Sequence, residues 1–441
     1  MARARVDARN FFYGVMNGVL VTGADALMHS ALVIAPFLAL IGAPAVVIGL
    51  VPAIRVGGYF LPQLLVANRL SQQPYKLPVY NVTSSLRIGS LIVMTAFAFF
   101  FGVERPALTA AIVLIMLTVN AVASGISGVP FADVTAKIVP HRRLGTFWVL
   151  RNVIGGALAL LCGWGLRAIL ASDMSFPGNF GLIFLLGTIL YAAGYVSFSF
   201  VKEPAGVPGM QRPLLRMIRE IPTLLRLDAN LRRFLRVRFL GLAALLAEPF
   251  YAVYAIGTLG APESALGIYI IVATAAGIIG NFALRKPADS GHNVTVLQIG
   301  LFMTALAPLL ALLSGSWQVF GIVFVLSAMA NQAINIAAFN LLYAIASPGD
   351  RPLYIGLSNT VLALPSLAPV LAGALLPVMG VNWMFAIALA LGVVTMAFSF
   401  RFKDLREADR AALTAQIGGD EEPPSPEVAE IAEAVLTPKV E

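Results

Sequence analysis

A single cysteine, Cys162, occurs in 441 residues. That excludes an intrachain disulfide and leaves no basis for a cysteine-built metal site. Histidine is nearly as scarce, at three residues, and two of these, His141 and His292, fall in loops without neighbouring ligands. Charge is thin: Asp, Glu, Lys and Arg make up 12% of the chain, about half of what a soluble domain carries. No Walker loop, zinc constellation or nucleophile elbow is present, which argues against an ATP-driven pump and against a hydrolase. The net charge of +8 is no nucleic-acid footprint, because the basic residues sit mostly in short loops between apolar runs. No cofactor is expected.

Hydrophobic residues make up 59% of the chain, and runs of membrane-spanning length recur from end to end. We read twelve spans, at 11–41, 44–66, 79–101, 107–130, 146–170, 179–201, 237–259, 263–284, 292–314, 317–346, 352–378 and 379–402. The fold class expected is therefore an all-α, multi-pass membrane protein. Arg3, Arg5 and Arg9 precede an apolar run too long for a signal-peptide core, so it should remain as the first span. One set of loops carries Arg69, Lys76, Lys137, Arg142, Arg143, Arg285, Lys286, Arg351, Arg401 and Lys403, while the other holds little beyond Arg105 and Arg167. By the positive-inside rule both termini should be cytoplasmic, and the even span count agrees. A plasma membrane is the expected location.

Residues 1–201 and 237–403 then form two six-span bundles joined by a linker at 202–236, with a polar, acidic and disordered tail at 404–441. The linker sets Leu214, Ile218, Ile221 and Leu225 against Arg212, Arg216, Arg219 and Arg226, the pattern of a helix lying on an anionic membrane surface. A repeat relates the halves at an offset of 208: Phe131, Ala136, Pro140 and Arg143 coincide with Phe339, Ala344, Pro348 and Arg351.

In the first span, Asp25 and His29 interrupt apolar sequence one turn apart. About 30 helical residues extend roughly 45 Å, against a hydrocarbon core of about 30 Å. Asp25 thus falls near the midplane, where a carboxylate costs about 3 kcal/mol and normally faces a bundle interior or a wet cavity. Such a pair either titrates and contacts substrate or ties helices together. Arg55 and Arg87, inside the second and third spans, could each neutralise Asp25 or hold an anionic solute.

Twelve spans in two related halves, cytoplasmic termini and a basic central linker resemble the major facilitator superfamily of secondary transporters. The stretches Asn17-Gly18, Leu61-Pro62 and Lys76-Leu77-Pro78 are similar to an uncharacterised bacterial branch of it. The superfamily's loop motif after the second span is degenerate here, with Asn68 in place of its acid. The resemblance implies that spans 1, 4, 7 and 10 line a central cavity. On those spans lie Asp25, His29, Asn120, Glu248, Tyr251, Tyr254, Asn331, Gln332 and Asn335. Asp25, His29 and Glu248 are the expected proton-coupling groups. Asn120, Tyr251, Tyr254, Asn331, Gln332, Asn335, Arg55 and Arg87 are the expected cavity lining. Asp133, Lys137, Arg143 and Arg151 would form a charge latch closing the cytoplasmic mouth, with Asp133 to Arg151 as its first pair.

The function so implied is alternating-access, proton-coupled export of a small, amphiphilic organic molecule, with no enzymatic step. The proton is the expected coupling ion, the bilayer the surroundings, and a monomer the expected state. A sodium-coupled or facilitative importer of the same fold, and a lipid flippase or a pigment-binding or assembly factor, are the rival readings.

Overall fold

The computed structural model of the protein describes residues 2–70, 72–206, 225–226, 228–346 and 351–402. Most of the expected linker helix and the acidic tail lie outside the described residues. Twelve helices are long and apolar enough to cross a membrane: α1 Asp7–Leu40, α2 Ala45–Gln63, α3 Leu77–Phe101, α4 Pro106–Ile138, α5 Leu144–Leu170, α6 Gly178–Ser199, α7 Ala229–Gly257, α8 Ala265–Asp289, α9 Asn293–Leu313, α10 Trp317–Ile345, α11 Tyr354–Met379 and α12 Val381–Ser399. In hydrocarbon every backbone polar group must be satisfied within the segment, and a helix does so alone.

Two boundaries differ from expectation. The seventh helix begins at Ala229 rather than 237, because Asp228 caps it: its carboxylate accepts from Asn230 N and Leu231 N, both at 2.9 Å. The basic run Arg232, Arg233 and Arg236, which reads as linker, is therefore helical. The fourth helix passes through Pro130 and ends at Ile138, so Asp133 and Lys137 occupy its last two turns.

Within the first half, α1 packs on α5 and α6, and α4 on α2 and α3. Within the second, α9 packs on α10 and α12, and α8 on α10. The halves meet through α2 against α11, α5 against α8, and the later part of α1 against α7. At the α2–α11 crossing the chains approach to backbone contact, since a Cβ on Gly49 would collide with Pro369 O and one on Gly373 with Ala45 O.

Where the apolar core sits shows which way the halves part. One large cluster joins both halves at the end away from the termini, with Phe37, Phe180 and Phe184 from the first and Phe250, Tyr251, Phe320 and Phe385 from the second. At the basic end, which carries Lys76, Lys137 and Arg401, each half keeps its own core. Tyr80, Phe147 and Phe198 belong to one, and Leu231, Phe234 and Leu341 to the other. The molecule is closed at the far end by a shared core and divided at the basic end. A hydrogen bond from Asn359 Nδ2 to Gln63 Oε1 (2.9 Å) links the halves between α11 and α2.

The described parts of the connection between halves are fastened at each side. Asn10 and Lys202 exchange two hydrogen bonds of 2.9 Å, and Gly206 N donates to Pro74 O at 2.9 Å. On the other side Asp228 accepts from Tyr354 OH at 2.8 Å.

Three helices are broken near their middles, each beside a proline. In α1 the regular helix stops at Leu27, His29 is extended, and residues 30–34 form a wider π-type turn before Pro36. Proline offers no N–H to the carbonyl four residues back and crowds it; in the turn before Pro36, Ile34 N and Ala35 N instead reach back five residues, to His29 O and Ser30 O. In α7 a 3-10 turn at Leu245–Ala247 precedes Pro249, and in α11 one at Pro365–Leu367 precedes Pro369.

Candidate functional site

The breaks in α1 and α7 set the two acids. Asp25 lies one turn before the extended residue His29, and Glu248 is the first residue after the 3-10 turn of α7. Both line a cavity of about 690 Å³ between the halves, together with His29 and Arg55 from the first half and Asn281, Asn331, Gln332 and Asn335 from the second. A second cavity, of about 450 Å³, lies within the first half and is lined by Asn17, Tyr80, Arg87, Asn120, Arg151, Tyr191 and Tyr195. Asp25 and Arg55 border both cavities.

The groups around the two acids differ. Asp25 Oδ1 accepts from Arg55 Nη2 at 2.5 Å and from Tyr191 OH at 2.5 Å. Arg55 Nη1 also donates to Met28 O, a carbonyl at the break in α1, at 3.2 Å. His29 is turned inward on its own helix, its Nδ1 accepting from Leu32 N at 3.2 Å. Around Glu248 the described residues contribute no cation within ion-pairing distance. Its hydrogen-bonding neighbour is Asn331, which itself donates to Ser327 O at 3.1 Å.

Residues 239–439 match the family model of the Major Facilitator Superfamily. Several solved transporters share the architecture. The nucleoside transporter NupG superposes with a TM-score of 0.69 at 13% identity, over 89% of this chain and 100% of its own. A bacterial homologue of the iron transporter ferroportin, in its inward-facing state, gives 0.66 at 16% identity over 90% and 98%. A D-xylose-proton symporter gives 0.65 at 14% identity over 89% and 97%. Along nearly its whole length the chain shares the fold of these transporters. Among curated proteins nothing matches it. The second half thus matches the superfamily's sequence pattern, and the chain has the all-α fold of two six-helix bundles, with twelve helices long and apolar enough to cross a membrane.

Within this superfamily fold, Asp25, His29, Glu248, Asn331, Gln332, Asn335 and Arg55 all stand on the central cavity. Arg55, not Arg87, is the partner of Asp25. Arg87 and Asn120 border the cavity inside the first half instead; Asn120 Nδ2 lies 3.4 Å from Arg87 O and 3.4 Å from Ser90 Oγ. Tyr251 and Tyr254, expected on the cavity wall, are packed in the far-end core. Tyr251 is 5.5 Å from Phe385 and Tyr254 is 5.6 Å from Phe320, ring centre to ring centre. Their face of α7 points away from the opening, and the rings fill the seam between α7, α10 and α12.

The expected latch is also rearranged. Asp133 pairs with Lys76 and Lys137, both at 2.7 Å, and Lys137 with Glu203 at 2.8 Å. Glu203 further accepts from the backbone of Lys76 and Leu77 at 2.8 to 3.0 Å. All four side chains belong to the first half, so the network ties α3, α4 and the chain after α6 together and spans no gap between halves. Arg143 is exposed at the start of α5 and makes no ion pair among the described residues. Arg151 turns inward: it donates to Gly14 O and to Asn17 Oδ1 (3.2 Å). It lies so close over α1 that a Cβ on Gly18 would collide with it. Asp133 and Arg151 do not pair.

Tyr191, Asn152 and Asn281 join the site without having been expected. Tyr191 sits on α6, outside the helices singled out as cavity-lining, and nothing in its local sequence marks it. Asn281 had a signal, being a carboxamide inside an apolar run next to the degenerate loop of the second half.

Proposed function

We propose that the chain is a secondary transporter that carries a small organic solute through the central cavity by alternating access, coupled to protons at Glu248. The observation that carries this reading is the contrast between the two midplane acids. Asp25 is held by Arg55 and Tyr191; Glu248 faces the cavity with amide neighbours and no cation. A carboxylate without a counter-charge in a partly desolvated cavity is the group whose charge a proton most readily removes, and its environment changes as the cavity alternates between sides. Asp25 and His29 act beside it as the elements that fix the break in α1. The division of the cores at the basic end supports a rocking motion about the shared far-end core. By the positive-inside rule the open end is cytoplasmic, and export in exchange for protons is the direction we assign.

The test uses proteoliposomes loaded with a pH-sensitive dye and a panel of organic solutes on either side. Solute-dependent proton movement is expected from the wild type and should vanish in Glu248→Gln. Flux driven by sodium and indifferent to pH would reject proton coupling. Flux of a lipid analogue, with no solute moving any proton, would reject the solute carrier altogether.

A further inference from the structure

We infer that the cavity inside the first six helices is a binding site for a small organic anion, held between the guanidinium groups of Arg87 and Arg151. Charge imbalance is the starting observation. Three arginines, Arg55, Arg87 and Arg151, line the cavity against one carboxylate, Asp25. That carboxylate is engaged by Arg55 at 2.5 Å. Among the described residues neither Arg87 nor Arg151 has an acid partner. Two cations inside a helical bundle without counter-charge are strongly unfavourable unless the protein or a ligand compensates them.

The protein orients these two groups without neutralising them. Arg87 lies over the face of Tyr195, with Cζ 4.1 Å from the ring centre. Its Nη1 is 3.5 Å from Ser127 Oγ and its Nε has no partner. Arg151 is directed by Gly14 O and Asn17 Oδ1, with Cζ 5.1 Å from the ring centre of Phe131 and 5.4 Å from that of Phe147. Cation–π contacts and neutral acceptors fix where a guanidinium points and leave its full charge in place. A planar guanidinium so presented suits carboxylate or phosphate oxygens, which it can bind through two parallel hydrogen bonds.

The remaining walls define the body of the ligand. Tyr59, Tyr80 and Phe131 are aromatic, and Asn120 contributes a carboxamide. A volume of about 450 Å³ falls in the usual range for small-molecule pockets and is too small for the acyl chains of a two-chain lipid. The ligand class is therefore an aromatic or apolar molecule bearing a carboxylate or phosphate. This inference adds a substrate class to the transport reading, but binding alone tests it, so it can fail while proton coupling at Glu248 stands, and the reverse.

The experiment is equilibrium dialysis of the purified full-length chain against radiolabelled salicylate and, separately, inorganic phosphate, with salicylamide as the uncharged control. Saturable binding of at least one anion is expected, with no retention of the amide. Arg87→Gln and Arg151→Gln should each weaken it by about tenfold or more, the size of a lost charge-assisted contact. Arg87→Lys should restore part of the loss, and Arg87→Gln should melt no lower than wild type, since the residue has no acid partner to strand. The proposal is overturned if neither anion binds, if salicylamide binds as well as salicylate, or if both glutamine variants bind like wild type. Failure of Arg87→Lys to recover any binding would likewise reject a charge-based site.

Discussion

The two halves of this chain place an acid at the same station, beside a proline-broken midpoint of their first helix, and surround it oppositely. In the first half a guanidinium and a phenol close on Asp25. In the second, Glu248 meets amides and open cavity. That asymmetry is the ground on which we propose different roles for the two acids. In the function proposed above, Asp25 holds the helix break and Glu248 couples to protons.

The sharpest way to break that comparison is to neutralise each acid in turn. Glu248→Gln should reduce proton-coupled flux to the level of empty vesicles while leaving the melting temperature unchanged or higher, because no buried cation loses its partner. A variant that transported normally would remove Glu248 from coupling. In the far-end core, Tyr251→Ala should destabilise the protein by about 3 kcal/mol, as removal of a large packed ring does, and chemical denaturation would measure it. A loss below about 1 kcal/mol would place that tyrosine on a wet surface instead.

Asp25→Asn should instead destabilise by about 1–3 kcal/mol, since it leaves Arg55 alone; the figure is reduced from that of a dry pair because cavity water reaches both groups. Adding Arg55→Gln should recover most of the loss, and a double-mutant cycle showing no coupling would refute the pairing. The smallest effect is expected at the basic end. Lys137→Gln removes one arm of the Asp133 and Glu203 network and should cost about 1 kcal/mol or less, with flux near wild type. A large loss of transport there would revive a gating role for the cluster.

How much of this was legible in the sequence depended on which physical quantity was asked for. Span number follows from run length and rise per residue, and that expectation matches the twelve helices observed. Rotation about the helix axis does not follow. In helices apolar on every face there is no polar side to mark solvent and hence no periodicity to say which side faces a partner. That is why Tyr251 and Tyr254 were expected in the cavity and lie in the core, and why Arg151 was expected at the rim and lies across α1. The start of α7 was missed for a different reason. Arg232, Arg233 and Arg236 resemble a surface linker, and the Asp228 cap that makes them helical is a single residue in a run of charges.

The fastenings at Gly206 and Asp228 bear on the rocking motion proposed above. The chain between them is 22 residues along the sequence, with a contour length of roughly 70 Å when drawn out at 3.3 Å per residue. That length is an upper bound set by covalent geometry alone. Under the rocking motion proposed above, shortening this connection by several residues is expected to leave turnover intact.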